Sequence, residues 1–188
     1  MNYFKREKLK DNYKFDIVQF YLKFNFFQLI CALGRNKINM ENYLFVCIGT
    51  DKMVSDSFGP RVGEKLKTKL YGYPMVQIFG TMENPIHFQN AKTFLDQLHL
   101  KQKEKIIIID SALGKESNIG NSYVNFGGIE LGKAFGKSFY FPAYMNIKTV
   151  IGNKNSFLQW DTQQIDLLAE KVANKITQVV STVIHVKI

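Results

Sequence analysis

The run Tyr43–Gly49, YLFVCIG, decides the fold, because six consecutive apolar residues closing on a glycine have the length and composition of a strand buried on both faces. The next segment is punctuated differently. The loop GTDKMVSD (Gly49–Asp56) leads into Gly59–Leu70, where Val62, Leu66 and Leu70 recur at helical spacing and Lys65, Lys67 and Lys69 fall on the other side. Pro60 suits the first helical turn and Ser57 the N-cap. Met75–Phe79 then reads as a second strand, Ile86–Leu98 as a second helix and Lys105–Asp110 (KIIIID) as a third strand. Strand, helix, strand, helix, strand predicts an α/β fold: a three-layer, mostly parallel sheet with helices on both faces.

Toward the C-terminus, Asn121–Phe126 reads as an edge strand, Gly127–Lys137 as a glycine-rich loop and Ile147–Ile151 as a last strand. Thr162–Val183 closes the chain as a helix, its Ile165, Leu168, Val172, Ile176, Val179 and Val183 forming a stripe wide enough to cover one face of a sheet. Toward the N-terminus, Lys5, Arg6, Lys8 and Lys10 precede an aromatic stretch from Phe15 to Leu33. That is the charge order of a signal peptide, but Asp16, Gln19, Lys23, Asn25 and Gln28 interrupt the stretch. No uncharged run reaches the roughly 18 residues of a membrane-spanning helix, so an amphipathic helix and no transmembrane segment are expected. The polar RNKINMEN (Arg35–Asn42) divides the chain into a basic, aromatic-rich helical extension, 1–41, and an α/β domain, 42–188.

Composition narrows the class of function. With 188 residues, 46% of them hydrophobic, the chain can bury a full core, and only 22% charged residues is too few for a disordered basic tail. Cys31 and Cys47 both sit in apolar runs, which predicts buried free thiols instead of a disulfide framework or metal finger. The net charge is +9 with a pI near 9.4, and +4 of it lies in residues 1–41. Lysines interleaved on helices make a solvated face more readily than a nucleic-acid site, and no nucleic-acid-binding motif accompanies them. An anion-binding module on those helices is the residual alternative. The glycines at 127, 128, 132 and 136 lack the order of a phosphate-binding loop.

In a parallel sheet the chemistry belongs beyond the C-terminal ends of the strands, and two carboxylates fall there. Asp56 lies in the loop after the first strand and Asp110 ends the third. Two acids held close cannot easily ionise together, so one stays protonated to polarise a carbonyl while the other activates water; shared binding of a divalent metal is the other route. Each also has a structural use, Asp56 supporting a helix start and Asp110 capping a loop, and spacing alone favours those uses. Asp51, Glu83 and His87 lie on the same expected rim, as candidates to contact substrate or tune a carboxylate. Asp51 can equally bond its own loop, and His87 can open the second helix. His99 and His185 fall at helix ends.

The runs CIGTDKMVSDSFGPRVGEKL (Cys47–Leu66), FGTMENPIH (Phe79–His87) and IIIIDSALG (Ile106–Gly114) resemble the YyaC-type sporulation proteins. Those are relatives of the germination protease of spores and, more distantly, of the hydrogenase maturation proteases. The resemblance covers most of Tyr43–Val183 in order and spacing. It implies a phosphorylase/hydrolase-like α/β fold and peptide-bond hydrolysis in the cytoplasm of a forespore or mother cell. It sets Asp56 at the first essential aspartate of germination protease and Asp110 at the second; His87 and the Gly-Thr-Asp at Asp51 match the YyaC-type pattern. In the maturation proteases the two acidic positions act with a later His. Gly132–Pro142 holds no His, so a metal-free acid pair with no cofactor is the expectation, and a metal-dependent maturation-type endopeptidase the alternative. The expected partner is a peptide or protein substrate. Self-association into a homo-oligomer, and a non-catalytic sporulation protein that binds a partner on the same fold, stay open.

Overall fold

The computed structural model describes residues 43–98, 106–133, 136–153, 155 and 160–185. The expected N-terminal helix, the 1–41 boundary, Cys31 and His99 lie outside the described residues.

Strand β1 (Tyr43–Cys47) is central. The chain leaves it through a short 3-10 turn (Ser55–Ser57) into α1 (Phe58–Lys69), returns as β2 (Val76–Phe79) and crosses through α2 (Ala91–Gln97) to β3 (Ile106–Leu113). Then come β4 (Ser122–Phe126), the pair β5 (Ile129–Leu131) and β6 (Phe139–Phe141), β7 (Met145–Gly152) and α3 (Thr162–His185). The main sheet has five strands in the order β2-β1-β3-β7-β4. The first four are parallel and β4 is an antiparallel edge, while β5 and β6 form a separate two-stranded sheet.

Alternation along β1 and β3 divides the core into two layers. Phe45, Ile107 and Ile109 face α1 and α3, meeting Val62, Leu66, Ile165, Val172 and Ile176. Leu44, Val46, Ile106 and Ile108 face the opposite way, onto Leu95 of α2 and Ile129 and Phe141 of the small sheet. Ile106–Ile109 are all fully buried. Each such side chain is worth about 1.5–3 kcal/mol of burial, and the unbroken apolar run in β3 exists because both faces are covered. The three-layer arrangement read from the sequence is therefore present.

Local differences have local causes. The second helix is shorter than its apolar pattern: Asn90 accepts a bond from the His87 amide at 2.8 Å through Oδ1 and donates to the Pro85 carbonyl at 2.9 Å, so residues 85–90 form a braced turn, not helix. Ser57 occupies the N-cap but does not cap. Its hydroxyl donates to the Val54 carbonyl at 2.7 Å and accepts from Arg61 Nε at 3.0 Å. The glycine-rich 127–137 stretch contains β5, which pairs with β6. Strand β3 runs three residues past Asp110 because β7 extends its ladder, pairing Asp110 with Lys148 and Leu113 with Gly152.

The strand order places the switch point at β1 and β3, since the chain moves to one side of β1 to make β2 and to the other to make β3. Its two crossover helices pack on opposite faces. Ligands of open α/β sheets bind in the crevice that such a reversal leaves at the C-terminal ends. Gly59 seats α1 there: a Cβ at this position would overlap the Ile48 carbonyl oxygen. Gly80, at φ +80°, turns the chain off β2 where a Cβ would strike the Cys47 carbonyl.

Candidate active site

Three backbone segments meet at the end of β1. The Ile48 amide donates to the Ile109 carbonyl at 2.8 Å and the Gly49 amide donates to the Ile86 carbonyl at 2.8 Å. Asp110 follows directly after the first of these acceptors and His87 after the second. The Thr50 amide donates to the Asp56 carbonyl at 3.1 Å, folding the loop back over the crevice. Asp56 is thereby carried in the 3-10 turn ahead of α1, and Asp110 is the first β3 residue beyond its pairing with β1.

Electrostatics tie these groups together. Burial pushes the Asp110 carboxyl up to about 7; the Lys148 ammonium works against that rise, the Asp56 charge adds to it and a hydrogen bond from the Ser111 backbone opposes it. Asp110 keeps some accessible surface, yet protein surrounds it on most sides. Asp56 is also raised, chiefly by burial, with a backbone hydrogen bond from Thr50 and the nearby His87 acting the other way. The Gln89 amide donates to His87 Nδ1 at 3.3 Å and so orients the ring.

Of the residues singled out in the sequence, the fold gathers Asp56, Asp110 and His87 in one electrostatic neighbourhood. Asp51 sits apart on the exposed loop, where its carboxylate accepts from the Thr50 hydroxyl at 3.4 Å. Glu83 is exposed and, with His87, Phe79 and Phe94, lines a groove of about 620 Å³ between β2 and α2. Among the described residues no group of three or more His, Cys, Asp or Glu side chains is arranged to hold a metal ion, and no helix is long and apolar enough to cross a membrane. Cys47 is a buried free thiol whose proton affinity burial raises, which makes it unreactive.

Lys148 went unnoticed in the sequence. Its signal was present: one charge within the apolar strand MNIKTVIG. Only the register of β7 against β3 sets that lysine beside Asp110.

Comparison with known proteins agrees with this architecture. A family described as "Protein of unknown function (DUF1256)" matches residues 17–181. The "Uncharacterized protein YyaC" of Bacillus subtilis (strain 168) is 28% identical over 134 residues. That match takes in 71% of this chain and 64% of the relative, so less than two thirds of the relative's length is spanned. Among solved structures, a [NiFe] hydrogenase maturation protease, HycI from Thermococcus kodakarensis KOD1, superposes with a TM-score of 0.50 at 19% identity. It covers 75% of this chain and 93% of its own, a likeness of fold.

Proposed function

We propose, from the premise that the chain belongs to the DUF1256 family, that it is a peptidase in which Asp56 and Asp110 hydrolyse a peptide bond. The observation that carries this reading is the coupling of two partly buried carboxyl groups across the β1/β3 crevice, where the charge on one raises the proton affinity of the other. Likeness of fold to a maturation protease supports a peptide or protein as substrate. The exposed Met53, Val54 and Leu113, which stand on the Asp56 loop and at the end of β3, would meet apolar side chains on either side of the scissile bond.

The environments of the two acids support a division of roles between them. Asp110, held near neutrality, is the proton donor: it protonates the carbonyl oxygen as water attacks. Asp56, whose charge is favoured by the Thr50 amide and His87, is the base that takes the proton from that water. The resulting tetrahedral gem-diol then collapses: Asp56 gives the proton it took from water to the amine nitrogen, the C–N bond breaks, and a hydroxyl proton of the gem-diol returns to Asp110 as the new carboxyl group forms. The pair titrates as a unit, so activity should follow a bell whose limbs belong to both acids. Resemblance to the YyaC-type proteins supports a role for this activity in the cytoplasm of a sporulating cell.

The test is cleavage of a defined peptide mixture by the purified chain. Asp56→Asn and Asp110→Asn should each lower the rate by at least about a hundredfold with the fold retained, the usual loss when a positioned acid or base is removed. Undiminished cleavage by both variants would reject the assignment. Full activity after exhaustive EDTA treatment would favour the metal-free pair, and loss restored by added divalent ion would favour the metal-dependent alternative.

A further inference from the structure

Asp110 and Lys148 are register partners on adjacent parallel strands, and register partners in a sheet project from the same face, with backbones about 4.8 Å apart. That face is the one bearing Ile106 and Ile108, which turns toward α2 and the small sheet. On the far side of Lys148 the row continues to Tyr123 of β4, whose hydroxyl accepts a 3.4 Å hydrogen bond from Asn121 Nδ2. One line of side chains thus crosses three strands: carboxyl, ammonium, phenol. The ion pairs among the described residues engage Arg61, Lys65, Lys69 and Lys92. Lys148 takes part in none of them. It is half-buried, in a strand whose other residues are all buried. A half-buried ammonium held one strand from a carboxyl, and not spent in a salt bridge, is placed to act on the proton of that carboxyl.

We propose that Lys148 is a positioning residue of the acid pair: its ammonium keeps the Asp110 proton transferable at neutral pH. This rests on the assignment of Asp110 as proton donor. An acid is most effective when its proton affinity matches the working pH, because it must release its proton as well as hold it. Burial and the Asp56 charge both drive the Asp110 proton toward permanent retention, and Lys148 is the cation that opposes them. The other charged and titratable groups around Asp110 do not supply that opposition. Asp56 adds to the retention, His87 acts on Asp56, and the Tyr123 phenol lies one strand beyond the lysine.

The experiment is a ¹³C-carboxyl NMR titration of Asp110 in the full chain, which needs no substrate and no turnover. Lys148→Met should raise the proton affinity of Asp110 about tenfold or more, as loss of an adjacent opposite charge does, whereas Lys148→Arg should leave it within about twofold. Asp56→Asn, removing the like charge, should move it the opposite way. An unchanged Asp110 titration in Lys148→Met would overturn the proposal; so would equal shifts in the Met and Arg variants, which would report altered packing and not charge. If the Asp110 titration moves as stated while no variant or wild-type protein cleaves peptide, the charge relation stands and the peptidase reading falls.

Discussion

Asp110 is the residue on which sequence and structure are most informative together. Its environment holds the carboxyl near 7 against an ordinary value of 3.8, so the folded chain binds this proton more tightly than the unfolded chain does. The stabilising contribution is then fully present below about pH 4 and is lost as pH rises through about 7. Urea unfolding across that range should show wild-type stability falling with pH, and Asp110→Asn should flatten the slope and be the more stable protein at pH 8. An acid kept at a thermodynamic cost is what a working site requires; a loop cap would show the opposite sign, with stability gained as the carboxylate ionises. The same scale shows why Asp110 was legible and Lys148 was not. An aspartate at the end of four isoleucines announces itself, whereas the partner of that aspartate depends on strand order, which no local pattern encodes.

At the scale of elements, glycine seats the helix that follows the Asp56 turn. Because a Cβ at Gly59 would overlap the Ile48 carbonyl, Gly59→Ala should cost at least about 1–3 kcal/mol in chemical denaturation and displace the Asp56 turn. Its loss of activity should therefore exceed its loss of folded protein. By contrast, the ion pairs that join α1 to α3, Arg61 and Lys65 to Asp166 and Lys65 and Lys69 to Glu170, lie at a partly exposed seam. Asp166→Asn should cost no more than about 1 kcal/mol, and less in high salt. Helix α3 is held chiefly by Ile165, Leu168, Val172 and Ile176 beneath that seam. Its 3.6-residue stripe makes it readable from Thr162 to Val183, two residues short of its end at His185. Helix α2 is shorter than its sequence pattern, because Ile86 is apolar and eight residues, a helical spacing, from Phe94 while the Asn90 side chain, bonding on both sides of Ile86, holds the intervening turn.

At the scale of the molecule, the sheet order brings together groups separated by more than fifty residues. The alternation of strand and helix was enough to expect parallel layers. It could not say that β7 would enter between β3 and β4, the step that both extends β3 beyond Asp110 and delivers Lys148. The candidate site is therefore half a product of short motifs and half a product of topology: the Asp56 loop and the Asp110 strand end come from the former, the cation and the crevice from the latter. The most direct measurement is digestion of a peptide mixture in H₂¹⁸O by wild-type and Asp110→Asn protein, read by mass spectrometry. An acid pair activating water predicts new C-termini carrying one ¹⁸O from wild type and almost none from the variant. New termini formed equally by both proteins would contradict it.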